Sequence, residues 1–185
     1  LSAQASTLKP IPFPKDLCPS TGRELLAEDD SVALTFAGAG SSVLASRVEG
    51  QTGKPLTPAP RAQLILITPL EWAMLKQHLG MPAVREMAQK LGLMKMELKA
   101  VCLKRMDSQT KGGAHESWFV QVEAPEGLAF RRAIWRTYLS KGGRAEDFEW
   151  KRWVPHVLVG TRGPMNHDAD YVHRNRLPCV ADFAP

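Results

Sequence analysis

The spacing of apolar and polar residues divides the chain into strand-like and helix-like segments. Continuous or alternating apolar residues predict strands at 31–38, 62–68, 94–106, 117–124 and 154–161, with 42–49 as the hairpin partner of the first. Apolar residues recurring every three to four positions predict helices at 69–78, 81–91 and 125–140, and a capping-box spacing predicts a short helix at 21–27. A polar loop is expected at 107–114.

This order of elements predicts an α+β fold, with antiparallel strands and packed helices arranged in two comparable halves. We expect an extended proline-rich segment over 1–30, a single domain over 31–162 and an irregular tail over 163–185. The 185 residues suffice for one core. The longest apolar run, Leu64 to Leu70, is far shorter than the roughly 20 residues of a membrane-spanning helix, so we expect no span.

Charge and cysteine content refine this picture slightly. The formal net charge is +5 and the pI is about 9.3, which favours a polyanionic partner such as RNA. The three cysteines, Cys18, Cys102 and Cys179, are far apart, and no two of them form a Cys-x-x-Cys pair. We therefore expect free thiols in a reducing compartment, and neither a disulfide framework nor a zinc site.

Two short segments carry the candidate chemistry. They are Gln63-Leu64-Ile65 in one predicted strand and His156-Val157-Leu158 in another, and the phrase Pro125 to Arg132 follows a strand between them. On these residues the stretch 61–162 resembles the two-histidine (2H) phosphoesterase superfamily, which includes RNA 2′,5′-ligase-like proteins and cyclic phosphodiesterases. The resemblance implies two pseudo-symmetric halves, each with one motif strand.

In that superfamily each motif strand carries His-x-Thr or His-x-Ser. One histidine accepts a proton while the other donates one, and the hydroxyls hold the phosphate oxygens. Here Gln63 stands at the first histidine position, and Ile65 and Leu158 stand at the hydroxyl positions. Glutamine does not titrate near neutral pH, so His156 is left as the one acid or base of the pair. The resemblance therefore implies a catalytically silent descendant.

Other histidines offer weaker alternatives. His115-Glu116-Ser117 has the residue types of a first motif but lies close to His156 in sequence. His156 is also consistent with a structural strand histidine. The stretch His167 to His173 contains two aspartates, yet its spacing is more typical of a polar tail than of a metal site. We predict neither a metal nor a cofactor.

Aromatic and basic residues precede the His156 strand and predict an RNA-binding surface. The candidates are Trp150, Lys151, Arg152, Trp153, Arg131, Arg132 and Arg162. An alternative of equal standing is that the tryptophans are packing anchors and the arginines form a solvated helix face.

Three functions follow from these observations. The favoured one is a 2H-like pseudoenzyme that acts as an RNA-binding subunit of a larger assembly, such as the mitochondrial ribosome or another organellar ribonucleoprotein. The start at Leu1 followed by a proline-rich segment favours a processed protein of a mitochondrion or other organelle, with the cytoplasm as the alternative. The other two functions are a divergent phosphodiesterase acting on RNA 2′,3′-cyclic phosphates or 2′,5′-linked nucleotides, and a subunit of a non-RNA organellar complex.

Overall fold

The computed structural model of the protein describes residues 8–28, 31–110, 112–163 and 177–184. The strands are β1 (Ile11–Pro12), β2 (Arg23–Glu28), β3 (Ser31–Phe36), β4 (Thr57–Pro58), β5 (Ala62–Ile67), β6 (Lys99–Thr110), β7 (Gly113–Glu123), β8 (His156–Arg162) and β9 (Cys179–Ala184). The helices are α1 (Gly40–Thr52), α2 (Pro69–Leu75), α3 (Met81–Lys90) and α4 (Pro125–Ser140), with short 3₁₀ turns at Leu93–Lys95 and Ala145–Asp147.

Within the described residues, one sheet contains the nine strands in the order β1-β9-β6-β7-β8-β5-β3-β2, with β4 beside β8. Neighbouring strands are antiparallel, except that β1 and β9 run parallel. The two strands predicted to carry the site, β5 and β8, are direct neighbours near the centre, where Leu64 lies opposite Val157. The α+β class and the antiparallel sheet with packed helices are confirmed.

A row of apolar side chains crosses the sheet in register and forms the centre of the core. From β2 to β9 it comprises Leu25, Leu34, Leu64, Val157, Val120, Leu103 and Ala181. These residues share one apolar cluster with Leu44 of α1 and Phe130 of α4. Because side chains alternate along a strand, the neighbours of the row on each strand lie on the opposite face of the sheet.

Helix α4 approaches the core face closely at Gly127. A Cβ atom at Gly127 would lie 2.5 Å from the Trp153 ring and 3.4 Å from Leu66. Helix α2 begins at a capping box, in which Thr68 Oγ1 accepts from the Glu71 backbone N–H and the Glu71 carboxylate accepts from the Thr68 backbone N–H.

Two predicted elements at the start of the chain are wrong. The predicted strand at 42–49 lies inside α1, because Leu44, Ala45 and Val48 recur at helical spacing and are buried in the core. The predicted helix at 21–27 is instead β2, which pairs with β3 along its whole length. The domain therefore begins before residue 31, and the extended segment before it packs on the domain through the buried residues Ile11 and Leu17.

Two predictions in the second half also need correction. The predicted loop at 107–114 is the continuation of β6 and β7, which pair as far as Thr110 and Gly113. The predicted irregular tail contains β9, which pairs with β6 and is buried at Val180 and Ala181.

The expectation of free thiols is wrong for two of the three cysteines. Cys102 on β6 and Cys179 on β9 form a disulfide, with their Cα atoms 5.8 Å apart, and Cys18 is the free thiol. The pairing of β6 with β9 brings them together from 77 residues apart in the sequence.

Candidate functional site

The four motif positions lie together on the sheet face opposite the core row. Leu64 faces Val157 across β5 and β8, and it lies on the core face. Alternation then places Gln63 and Ile65 of β5, with His156 and Leu158 of β8, on the other face, with Ile65 opposite His156. The structure therefore brings together the positions that the sequence singled out.

His156 is held tightly in this arrangement. It is 1% exposed, and its Nδ1 lies 2.8 Å from the backbone oxygen of Val154. A carbonyl only accepts, so Nδ1 carries the proton in this bond. The ring also packs edge-on against Phe119 at a centroid distance of 5.2 Å, and its partner on β7 is Gln121.

The residues that border His156 in the sheet carry neither an imidazole nor a hydroxyl. Gln63 supplies an amide that does not titrate, and the half-buried side chains of Ile65 and Leu158 have no hydroxyl with which to hold a phosphate oxygen. General acid–base catalysis needs a titrating group within hydrogen-bond reach of each proton that moves. Ile65, Leu158, Phe119 and Gln121, which border His156 in the sheet, include no such group.

His115, from the alternative motif, lies far from His156 along the sheet. Gln121 is the residue of β7 opposite His156, and His115 is six positions further along that strand, about 20 Å away at about 3.3 Å per residue. His115 is 1% exposed, and its Nε2 lies 2.9 Å from Ser117 Oγ. The two histidines therefore cannot act on one phosphate.

Glu116 and Arg162 form a second well-defined polar contact. Arg162 donates from Nη1 to Glu116 at 2.5 Å and from Nη2 to the Thr52 hydroxyl at 2.6 Å, and its Nε donates to the Pro55 carbonyl. Burial raises the pKa of Glu116, but hydrogen bonds from Arg162 and Trp118 outweigh burial and bring the pKa below its usual range. Arg162 thus ties β8 to β7, to the last residue of α1 and to the segment after α1. These bonds occupy guanidinium donors that a contact with an RNA phosphate would need.

Lys104 is a buried cation on the same face as His156, and the sequence reasoning missed it. It is 8% exposed, lies opposite Phe119 on β7 and faces Cys179 on β9. Burial lowers the pKa of its ammonium, which makes no ion pair with another residue of the described ranges. Its alternation with Leu103 and Arg105 in the sequence resembles that of any exposed strand lysine, so no signal identified it.

Two of the predicted RNA contacts are interior residues. Arg131 is 0% exposed and forms a two-bond ion pair with Glu71, at 2.6 and 2.9 Å, while a further bond of 2.7 Å reaches the Leu66 carbonyl. Trp153 is 8% exposed and donates from Nε1 to the Ile65 carbonyl at 3.1 Å. Both residues join α4 and the segment before β8 to β5, and their burial does not support a contact with RNA.

Three other predicted RNA contacts, Trp150, Lys151 and Arg152, line a surface recess of about 590 Å³, whereas Arg162 lies elsewhere, beside Glu116 and Pro55. We call it the Trp150 recess; its walls include Trp135, Phe148, Trp150, Lys151 and Arg152. The rings of Trp135 and Trp150 lie 6.2 Å apart and tilted by 42°. Lys151 Nζ lies 5.4 Å from the Trp150 ring centroid.

Arg132 places a further cation near the same indole, with its guanidinium 5.5 Å from the Trp150 ring centroid. Arg152 is paired with Glu149, an exposed contact at 3.5 Å that contributes little to stability. The recess therefore combines two aromatic rings with exposed cations. Trp135 was missed as a member because its helical spacing with Leu128 and Leu139 indicated a buried helix face.

One stretch considered as a metal site lies in a part of the chain that the structure does not describe. The stretch His167 to His173 lies outside the described residues. Among the residues that the structure describes, there is no group of three or more His, Cys, Asp or Glu side chains that could hold a metal ion. In the same part of the chain, no helix has the length and apolar character needed to cross a membrane.

In comparisons with known proteins, no family model, no curated protein and no solved structure matches the chain.

Proposed function

We propose that the protein is a catalytically silent, 2H-like module that binds single-stranded RNA at the Trp150 recess as a subunit of a larger assembly. The observation that carries this proposal is the clustering of Trp135 and Trp150 with Arg132, Lys151 and Arg152. Aromatic rings stack on bases without sequence preference, and neighbouring cations neutralise the phosphates between them. The volume of about 590 Å³ is within the range of about 300–1,000 Å³ found for ligand pockets.

The loss of catalysis rests on the chemistry of the central strands. A 2H reaction needs two imidazoles facing one phosphate, and here Gln63 replaces the first. Removing one member of an acid–base pair usually lowers a rate by orders of magnitude. His156, bonded to its own strand and packed against Phe119, serves instead to hold β8 in place.

The two-half layout is part of the same proposal. One half would comprise β2, β3 and β5 and the other β6, β7 and β8, and the halves would meet where β5 pairs with β8. Support comes from the position of the two motif strands, which are neighbours and display their motif residues on one face. The disulfide between Cys102 and Cys179 favours an oxidising compartment, which argues against the ribosome of the mitochondrial matrix as the assembly.

Binding of fluorescein-labelled single-stranded RNA to the full chain, measured by anisotropy over a range of salt concentrations, tests the recess. We expect Trp150→Ala to weaken binding about 5- to 150-fold, the equivalent of about 1–3 kcal/mol for one stacked base, and Trp150→Phe to keep most of it. Lys151→Ala should reduce the magnitude of the salt slope by about 0.7. Lys76→Ala, an exposed lysine on the turn after α2, should leave both quantities unchanged.

Two results would reject this function. The first is RNA binding that is absent at low salt, or that is identical in Trp150→Ala, Lys151→Ala and wild type. The second is hydrolysis of a 2′,3′-cyclic nucleotide that disappears in His156→Ala while the fold, followed by circular dichroism, is retained. That second result would instead support the divergent phosphodiesterase.

A further inference from the structure

A groove between α3 and α4 has a composition unlike that of the Trp150 recess. Its volume is about 680 Å³. Met87 and Leu91 of α3 form one side, and Leu128, Arg132 and Arg136 of α4 form the other. We call this feature the α3–α4 groove. Trp150 borders both sites, so they are neighbours on one surface.

Two of the apolar side chains that line the groove are exposed. Leu91 is 36% exposed and Leu128 is 38% exposed, although both are large apolar side chains. The alanines at 129 and 133 lie one helical turn apart and also line the groove, so that α4 leaves room beside its leucine. Exposed apolar side chains gathered in a concave surface are typical of a binding site.

Two cations of α4 also line the groove. Arg132 and Arg136 lie one turn apart on the exposed side of α4, and neither forms an ion pair with a carboxylate of the described residues. The Thr137 hydroxyl donates to the Ala133 carbonyl at 3.0 Å, and its oxygen lies 3.6 Å from Met87 Sδ, a contact between α4 and α3. Leu128 and Arg136 are eight residues apart on one helix, which is about 12 Å.

We propose that the α3–α4 groove docks an amphipathic helix of a partner protein. The partner helix places apolar side chains against Leu91 and Leu128, and its carboxylates pair with Arg132 and Arg136, which lie about one and two turns from Leu128 along α4. The charge of the groove indicates the charge of the partner. Arg132 and Arg136 of α4 have no carboxylate partner among the described residues, so acidic side chains of the partner complement them. Leu91 and Leu128 favour a protein partner over RNA, because leucine offers neither a ring for base stacking nor a charge for a phosphate.

This inference shares Trp150 and Arg132 with the proposed RNA site, and the two are distinguished at the residues that belong to one site only. The proposed RNA site requires Trp150 and Lys151, whereas the docking site requires Leu128 and Arg136, which do not line the recess. Each proposal can therefore fail while the other stands.

The test uses the full chain and a set of fluorescein-labelled helical peptides of about 18 residues, or five turns. Each peptide carries a leucine pair and two glutamates at one of several helical spacings, and a second set carries lysine in place of glutamate. Binding is measured by anisotropy with wild type, Leu128→Ala and Arg136→Glu. The matched control is Leu70→Ala, which removes an apolar side chain on α2 that is 60% exposed and lies outside the groove.

We expect an acidic peptide to bind wild type and Leu70→Ala equally, and Leu128→Ala about tenfold more weakly because less apolar surface is buried. Arg136→Glu should lose the acidic peptide by about tenfold or more and gain binding of the lysine peptide, since the charge pair is reversed. This exchange of specificity would not arise from a general loss of stability.

Three outcomes overturn the proposal. One is that no acidic peptide binds wild type. Another is equal binding of acidic and basic peptides, or binding that does not respond to Leu128→Ala and Arg136→Glu. The third is single-stranded RNA that displaces the peptide and whose own affinity depends on Leu128 and Arg136, which would make the groove part of a nucleic-acid surface.

Discussion

Removal of the disulfide between Cys102 and Cys179 should have a large and measurable effect on stability. The bond closes a loop of 77 residues, for which loop closure removes about 15 cal/mol/K of entropy from the unfolded chain. At 25 °C this is a stabilisation of about 4.5 kcal/mol. With an unfolding entropy of about 2.1 cal/mol/K per residue over 185 residues, the midpoint of thermal unfolding should fall by about 12 °C.

The structure also indicates which strands become less stable when the disulfide is removed. Cys102 is buried on β6, and Cys179 lies at the start of β9, which in turn pairs with β1. Without the bond, β1 and β9, from opposite ends of the chain, depend on backbone pairing and on the packing of side chains such as Ile11, Val180 and Ala181. We therefore expect amide hydrogen exchange to increase first in β9 and β1.

The assay is urea unfolding followed by tryptophan fluorescence. Wild type is compared with the double variant Cys102→Ala, Cys179→Ala, and with wild type under a reducing agent, which breaks the bond without changing a side chain. Cys18→Ala controls for the loss of a thiol outside the bond. Burial raises the pKa of the Cys18 thiol to about 12, with Arg23 offsetting only part of this, so native Cys18 should resist alkylation near neutral pH.

Alkylation of the urea-unfolded, unreduced protein completes the test. The structure requires a single reactive thiol, that of Cys18, under these conditions. Three reactive thiols, or a double variant whose free energy of unfolding agrees with wild type within about 0.5 kcal/mol, would refute the reasoning.

Three further predictions concern packing and charge. Arg131→Ala should cost about 3–5 kcal/mol in urea unfolding, because it leaves a half-buried carboxylate without its partner. Gly127→Ala should destabilise the protein by about 1–3 kcal/mol, since the added Cβ would overlap the Trp153 ring. Gly50→Ala, within α1, should instead stabilise it by about 0.5–1 kcal/mol, because the added Cβ meets no atom within 4 Å. Burial raises the pKa of Glu116 and the Arg162 hydrogen bond more than offsets it, so Glu116→Gln should lower stability by about 1–2 kcal/mol at neutral pH.

The controls for these predictions lie in the same elements. Arg136→Ala, on the exposed side of α4, should change stability by less than about 0.5 kcal/mol. The Glu116 effect should be complete above the unfolded pKa of about 4.3 and should disappear as pH falls through the lower folded pKa. A Glu116→Gln difference that grows on acidification, or a Gly127→Ala protein more stable than wild type, would contradict the arguments.

Local spacing identified most of the helices and several strands. The recurrence of Phe130, Ile134 and Tyr138 predicts α4, and all three are buried. The continuous apolar run around Leu64 predicts β5, since a strand covered by packed neighbours needs no alternation. The failures lie where the pattern fits both periods: 42–49 alternates well enough for a strand, yet burial of Leu44 and Val48 makes it a helix.

The candidate site shows the same division. The sequence singles out both motif strands, and the register places Gln63 and Ile65 of one beside His156 and Leu158 of the other. The sequence does not show that Arg131 is buried while its neighbour Arg132 is exposed. Successive helix residues point about 100° apart, and the placement of α4 on the sheet decides which arginine enters the core.

By itself, then, the sequence determined the elements with a clear period, the basic and tryptophan-rich segment before β8, and the presence of glutamine, which does not titrate, at position 63. These depend on residue identity and on neighbours a few positions apart. Tertiary structure alone decided the disulfide, the strands β2 and β9 that the local pattern did not predict, and which cations are exposed. Each of these depends on contact between distant segments, and such contacts follow from which surfaces meet on the sheet.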